Sequence, residues 1–110
     1  MIKKRTDEVI EKFLEGIARA GLRQKIEKMY LFGSRARGDE RPDSDYDVLV
    51  VTNQPDREFR SKIYDVVIDV LLETQRDISL KIRKTEEYKR LCRMRTPFMR
   101  NVLREGIRIG

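Results

Sequence analysis

Two short segments constrain this chain more than anything else in it: Leu31-Phe-Gly-Ser-Arg-Ala-Arg-Gly38 and Ser44-Asp-Tyr-Asp-Val-Leu-Val-Val51. Met29 to Phe32 is an apolar run of strand formers. Gly33 ends it, and Ser34 is placed to cap a following helical turn. A strand that feeds a helix N-terminus leaves backbone N–H groups pointing at one spot, with the helix dipole adding positive character. Gly33 has no Cβ, so a phosphate can come close to the backbone. The Ser34 hydroxyl can donate to a phosphate oxygen. Arg35 and Arg37 bring positive charge, and Gly38 can close the turn.

The loop Asp39-Glu-Arg-Pro-Asp-Ser44 is dense in turn formers. It delivers the chain to Asp45-Tyr-Asp-Val-Leu-Val-Val51, where side chains alternate across a strand. Asp45 and Asp47 therefore share one face, which Leu49 and Val51 continue into the interior. Tyr46, Val48 and Val50 take the other face. Two carboxylates at the mouth of a buried strand repel each other and are costly to desolvate, and a bound cation relieves both. Oxygen ligands of this kind suit Mg²⁺, which keeps waters and shares its shell with substrate phosphates. A Gly-Ser turn or an Asp-x-Asp pair alone is common. The two together, each at a strand end, describe a site for a nucleoside triphosphate and its metal.

The pattern hydrophobic-Gly-Ser, a spacer, then Asp-x-Asp resembles the nucleotidyltransferase superfamily that includes DNA polymerase beta. Phe32-Gly-Ser-Arg-Ala-Arg-Gly38 with Pro42-Asp-Ser-Asp-Tyr-Asp47 resembles its smallest branch, the minimal nucleotidyltransferases, as does the ending Thr96-Pro-Phe-Met-Arg-Asn-Val-Leu-Arg-Glu-Gly106. The resemblance implies Mg²⁺-dependent transfer of a nucleotide, by preference AMP from ATP, to a hydroxyl. Gly33 and Ser34 would hold the phosphates, with Arg35 and Arg37 beside them. Asp45 and Asp47 would hold one or two Mg²⁺ ions. A third carboxylate is implied on a later strand, and Asp77 in Arg76-Asp-Ile-Ser-Leu-Lys-Ile82 is the position that matches. Arg76 stands where a hydrophobic residue is usual, and Ser79 shares the face of Asp77. Asp69 is the rival. As a cap only, Asp77 would leave a protein that binds nucleotide, or simply a partner, and transfers nothing. The resemblance further implies a small helical HEPN-type protein as partner, in a toxin–antitoxin pair in which this chain is the antitoxin.

With 110 residues the chain is expected to form one domain, 1–110, with a modest core. No apolar run approaches a membrane span, and Met1-Ile-Lys-Lys-Arg5 leads into an amphipathic pattern rather than a signal-peptide core. The single cysteine, Cys92, excludes an internal disulfide and fits a reducing cytoplasm. The absence of histidine removes Ser-His-Asp chemistry and the common zinc sites, leaving carboxylates for acid–base work. Charge is uneven. Residues 76–110 hold 11 Lys or Arg against 4 Asp or Glu, in a chain of net charge +6. That basic third suits nucleotide phosphates, an RNA or an acidic protein, or is a solvated surface. The oligomeric state, homo-oligomer included, is left open.

The layout predicted is an α/β (α+β) fold, a small mixed sheet packed with helices. Thr6 or Asp7 caps a helix to about Ala20 with Val9, Ile10, Phe13, Leu14 and Ile17 inward, and Gly21 follows its end. Leu22 to Glu27 reads as a short helical piece. Strands are predicted near 28–32, 46–52 and 77–83. A helix over 57–75 carries Phe59, Ile63, Val67, Val70 and Leu71 as its stripe, which puts Asp69 on a helix surface. Thr85 caps a helix to about Arg93, Thr96-Pro97 starts another, and Ile107-Arg-Ile109 forms a short edge strand.

Overall fold

Alternation of Val48 and Val50 with Leu49 and Val51 makes the segment from Tyr46 apolar on both faces, and such a strand must be covered from both sides. The computed structural model describes residues 8–33 and 45–110. Its elements run α1 (Glu8–Arg19), a 3-10 turn (Arg23–Lys25), β1 (Ile26–Phe32), β2 (Tyr46–Thr52), α2 (Arg57–Thr74), β3 (Ile78–Lys84), α3 (Thr85–Met94), α4 (Pro97–Glu105) and β4 (Ile107–Arg108). Among the described residues the sheet has the order β3-β2-β1-β4. β1 pairs antiparallel with β2 and β4, while β2 pairs parallel with β3. The mixed sheet follows from the connections: a parallel pair needs a crossover, and α2 supplies it.

α1 and α2 cover one face. Ile10, Phe13 and Ile17 of α1 and Phe59, Ile63, Val66 and Val70 of α2 close on Leu31, Val48 and Val50. α3 and α4 cover the other, where Tyr88, Met99 and Val102 close on Leu49 and Val51. The two helices of the first face cross tightly. A Cβ on Gly16 would stand 2.6 Å from Val66 Cγ1, so the absence of a side chain at Gly16 sets that approach.

Local chemistry accounts for the boundaries. Asp56 caps α2, its carboxylate accepting from Phe59 N at 2.9 Å. Thr96 caps α4 and accepts from Met99 N, with Pro97 at the first helical position. Gly21 follows α1 with φ +73°, the left-handed conformation that favours glycine. The predicted cap at Thr6 or Asp7 lies outside the described residues.

Three expectations are corrected. Leu71 is not part of the inner stripe of α2: it is partly exposed, and Val66 takes the buried place. With 3.6 residues per turn, position 71 falls at the edge of the face that 59, 63, 66, 67 and 70 define. Thr85 lies inside α3, whose cap is Lys84, where the Lys84 backbone N–H donates to the Glu87 carboxylate at 2.9 Å. The helical piece at 22–27 contracts to Arg23–Lys25, because β1 begins at Ile26. α1 ends at Arg19, in keeping with the expected end near Ala20.

Candidate active site

Gly33 leaves β1 with φ +76°. Its neighbour Phe32 pairs with Asp47 across the antiparallel ladder, so the turn after β1 lies directly over the aspartate strand. A Cβ placed on Gly33 would overlap the Asp47 carboxylate oxygen Oδ2 and stand 3.3 Å from its Cγ. Glycine therefore meets two demands at once: a left-handed backbone and room for a carboxylate. Asp47 is half-buried and Asp45 exposed, so the pair sits where the buried strand opens to solvent. Phe32 forms one side of this mouth. Its ring meets Phe98 of α4 edge-on, with centroids 5.3 Å apart, an arrangement favoured by aromatic quadrupoles.

The parallel partner completes the neighbourhood. Asp47 pairs with Ser79 and Tyr46 with Ile78. Paired residues of neighbouring strands project to the same face, so Ser79 lies beside Asp47. One step outward the same register sets Asp77 alongside Asp45. The Asp77 carbonyl accepts from Tyr46 N at 3.1 Å, and its carboxylate Oδ1 accepts from Ile78 N at 2.8 Å. Asp77 is exposed, and Ser79 is half-buried. Among the described residues no three Asp, Glu, Cys or His side chains gather into a group able to hold a metal. Ser34, Arg35 and Arg37 lie outside the described residues. Asp69 is exposed on α2, on the opposite face of the sheet from Asp47.

Ser79 is the residue whose place the sequence does not reveal. Its alternation with Asp77 is visible, but only the register of β3 against β2 decides which of the two stands beside Asp47. The residues present fit a divalent cation in their chemistry. Asp45 and Asp47 offer hard oxygens at a solvent-open mouth, and the bare Gly33 keeps space beside them.

A family model described as a nucleotidyltransferase domain matches residues 10–108. A curated relative, the "Putative protein adenylyltransferase" of Methanocaldococcus jannaschii, is 32% identical over 102 residues, covering 91% of this chain and 93% of the relative. Two crystal structures share the fold. One is a toxin–antitoxin with AMP-PNP (TM-score 0.56, 18% identity, 90% of this chain and 70% of that one). The other is a mutant of the toxin–antitoxin MntA–HpeT (TM-score 0.55, 16% identity, 90% and 70%). With a matching domain over nearly its whole length and a relative at this identity, the chain belongs to the nucleotidyltransferase family.

Proposed function

We propose that this transferase moves AMP from ATP, with Mg²⁺, onto a hydroxyl group of a partner protein. The observation that carries the reading is Gly33 set against the Asp47 carboxylate at the open end of β2, with Asp45 next to it on the same face. The 32% relative, named as a protein adenylyltransferase, favours a protein acceptor, and the AMP-PNP complex of a structural neighbour favours an adenine nucleotide.

The roles follow from chemistry. Gly33 and Ser34 present backbone N–H groups and a hydroxyl to the β- and γ-phosphates. Arg35 and Arg37 add charge around the same phosphates. Asp45 and Asp47 hold Mg²⁺, which when bound neutralises the triphosphate and polarises its oxygens. The acceptor oxygen forms a bond to the α-phosphorus as the bond from that phosphorus to the bridging oxygen breaks. Pyrophosphate leaves with the electron pair. Asp77, alongside Asp45, takes the acceptor proton; as a third metal ligand instead, it would leave that proton to solvent water. Positioning and charge neutralisation account for most of the barrier lowering.

The partner in this reading is a small helical HEPN-type toxin, and the chain acts as its antitoxin. Toxin–antitoxin structural neighbours support it. A cytoplasmic setting belongs to the same proposal; among the described residues no helix is long and apolar enough to cross a membrane. A second reading, a nucleotide- or partner-binding module without transfer, is favoured by one observation: the Asp77 carboxylate is engaged by the N–H of its own strand.

Incubation with ATP labelled at the α-phosphate, Mg²⁺ and a lysate of the source cell separates the two. Label on a protein with the wild-type chain, and none with Asp47→Asn, is expected. Mg²⁺-dependent ATP binding without label on any macromolecule would install the binding-module reading.

A further inference from the structure

We infer that the outward face of α2 docks a helix of a partner protein that carries an apolar seam flanked by lysine or arginine. This rests on the reading that the acceptor is a protein, and adds where that protein attaches. A surface helix needs one apolar stripe, and α2 has two. Phe59, Ile63, Val66, Val67 and Val70 are buried against the sheet, while Tyr64, Ile68, Leu71 and Leu72 are 43, 51, 38 and 70% exposed. The exposed four follow the spacing i, i+4, i+7, i+8, so they form one continuous line on the helix. A contiguous apolar line of this extent on a surface is the usual mark of an interaction site, and its periodicity matches recognition of another helix.

Charge selects the occupant. Asp65 and Asp69 flank the line on one side and make no ion pair among the described residues. They border a groove of about 430 Å³ between α1 and α2 that Glu15 and Glu73 also line. Three cations, Lys12, Arg19 and Lys62, line the same groove against the four carboxylates. Two of them are engaged, Lys12 with Glu73 at 2.8 Å and Lys62 with Glu58 at 3.5 Å, which leaves a small carboxylate excess on this flank. A carboxylate excess on this flank, in a chain of net charge +6, favours a basic partner here over the lysine- and arginine-rich surface of the final third. A second copy of this chain is a poorer occupant. An antiparallel two-fold pairing of α2 with itself brings the same flank of both helices together, setting Asp65 and Asp69 against their own copies.

The position suits the chemistry. α2 runs back from the far end of β2 to the entrance of β3, so Leu71 and Leu72 lie at the end of the sheet where Asp45 and Asp77 stand. A partner seated there reaches the catalytic mouth around the sheet end without covering it.

The test uses the full chain, labelled with ¹⁵N, and two synthetic helical peptides of about 18 residues, enough to match the length of α2. Both carry a leucine seam. One is flanked by arginine and the other by glutamate. Expected are amide shifts centred on 64–72 with the arginine peptide, at least about tenfold tighter binding than the glutamate peptide, and weakening by salt. Ile68→Ser with Leu72→Ser should abolish the shifts, and Asp65→Asn with Asp69→Asn should erase the preference between peptides. Circular dichroism verifies that both variants fold. Equal affinity for the two peptides, no binding, or shifts elsewhere overturns the proposal. So does a concentration-dependent dimer in sedimentation that Ile68→Ser with Leu72→Ser disperses, which would make a second copy the occupant. The binding experiment contains no nucleotide. Failure of AMP transfer with intact docking therefore rejects the proposed function alone, and the converse rejects this inference alone.

Discussion

Gly33 presents its bare α-carbon to the carboxylate of Asp47, in a space that any Cβ would fill. The turn after β1 and the aspartate strand therefore meet at these two residues. Gly33→Ala strains a backbone at φ +76° and displaces the carboxylate together. Thermal unfolding is expected to show a loss of about 1 kcal/mol, the ordinary scale for alanine at a positive φ. Mg²⁺-dependent ATP binding by calorimetry should weaken at least about tenfold. Unchanged binding would place the phosphate site elsewhere.

Asp47→Asn keeps the shape of the side chain and removes its charge. Circular dichroism is expected to show the fold retained. Transfer from α-labelled ATP is expected to fall by roughly 100-fold or more, the scale for losing one charge-stabilising group in a site.

The parallel register distinguishes Asp77 from Ser79. Asp77→Asn should reduce transfer while ATP binding persists, and full activity would remove Asp77 from the machinery. Ser79→Asp places a carboxylate beside Asp47. It should tighten Mg²⁺ binding in a titration and, without metal, lower the melting temperature through added repulsion. If metal affinity stays fixed, position 79 does not face the ion.

The crossing of α1 and α2 gives a prediction away from the site. Gly16→Ala gains helix propensity of about 1 kcal/mol, but the new methyl would stand 2.6 Å from Val66 Cγ1, a stiff branched side chain. Overpacking of about 1–3 kcal/mol should win, and the variant should unfold at lower denaturant. Gly16→Ala with Val66→Ala relieves the overlap, so the effect of the pair should be smaller than the sum of the singles.

Burial, then hydrogen bonding with Tyr30 and Cys92, holds the Tyr88 hydroxyl well above the ordinary tyrosine range. The folded state keeps this proton longer than the unfolded chain does. The stability it brings is complete below the unfolded pKa of about 10 and falls as pH rises above it. In a spectrophotometric titration one tyrosine should ionise late, and Tyr88→Phe should remove that late step. Simultaneous ionisation of all four tyrosines in the folded protein would contradict this.

Much of this molecule is local in origin and was legible one residue at a time. The strands around Met29–Phe32 and Tyr46–Thr52 announce themselves by apolar runs, the first closed by Gly33 and the second opened by Asp45, and Thr96-Pro97 is a cap followed by a proline that costs no hydrogen bond. The shared face of Asp45 and Asp47 follows from a two-residue period that no packing can alter. The two faces of α2 were less legible, because that helix carries apolar residues nearly all round. The inner stripe read from sequence included Leu71, and only packing against the sheet showed that Val66 is buried in its place.

What the sequence determined by itself is therefore the set of turns, caps and alternations, each decided within a few residues by sterics and backbone hydrogen bonding. The tertiary structure decided three things that depend on distant pairing. The register of β1 on β2 brings Gly33 onto Asp47. The register of β3 on β2 puts Ser79 beside Asp47 and Asp77 one step out. The packing of α2 across α1 leaves Ile68 and Leu72 facing solvent. A ladder is fixed by side chains from several segments competing for one core, and a shift of one residue would turn every one of them to the other face, so no single segment carries that information.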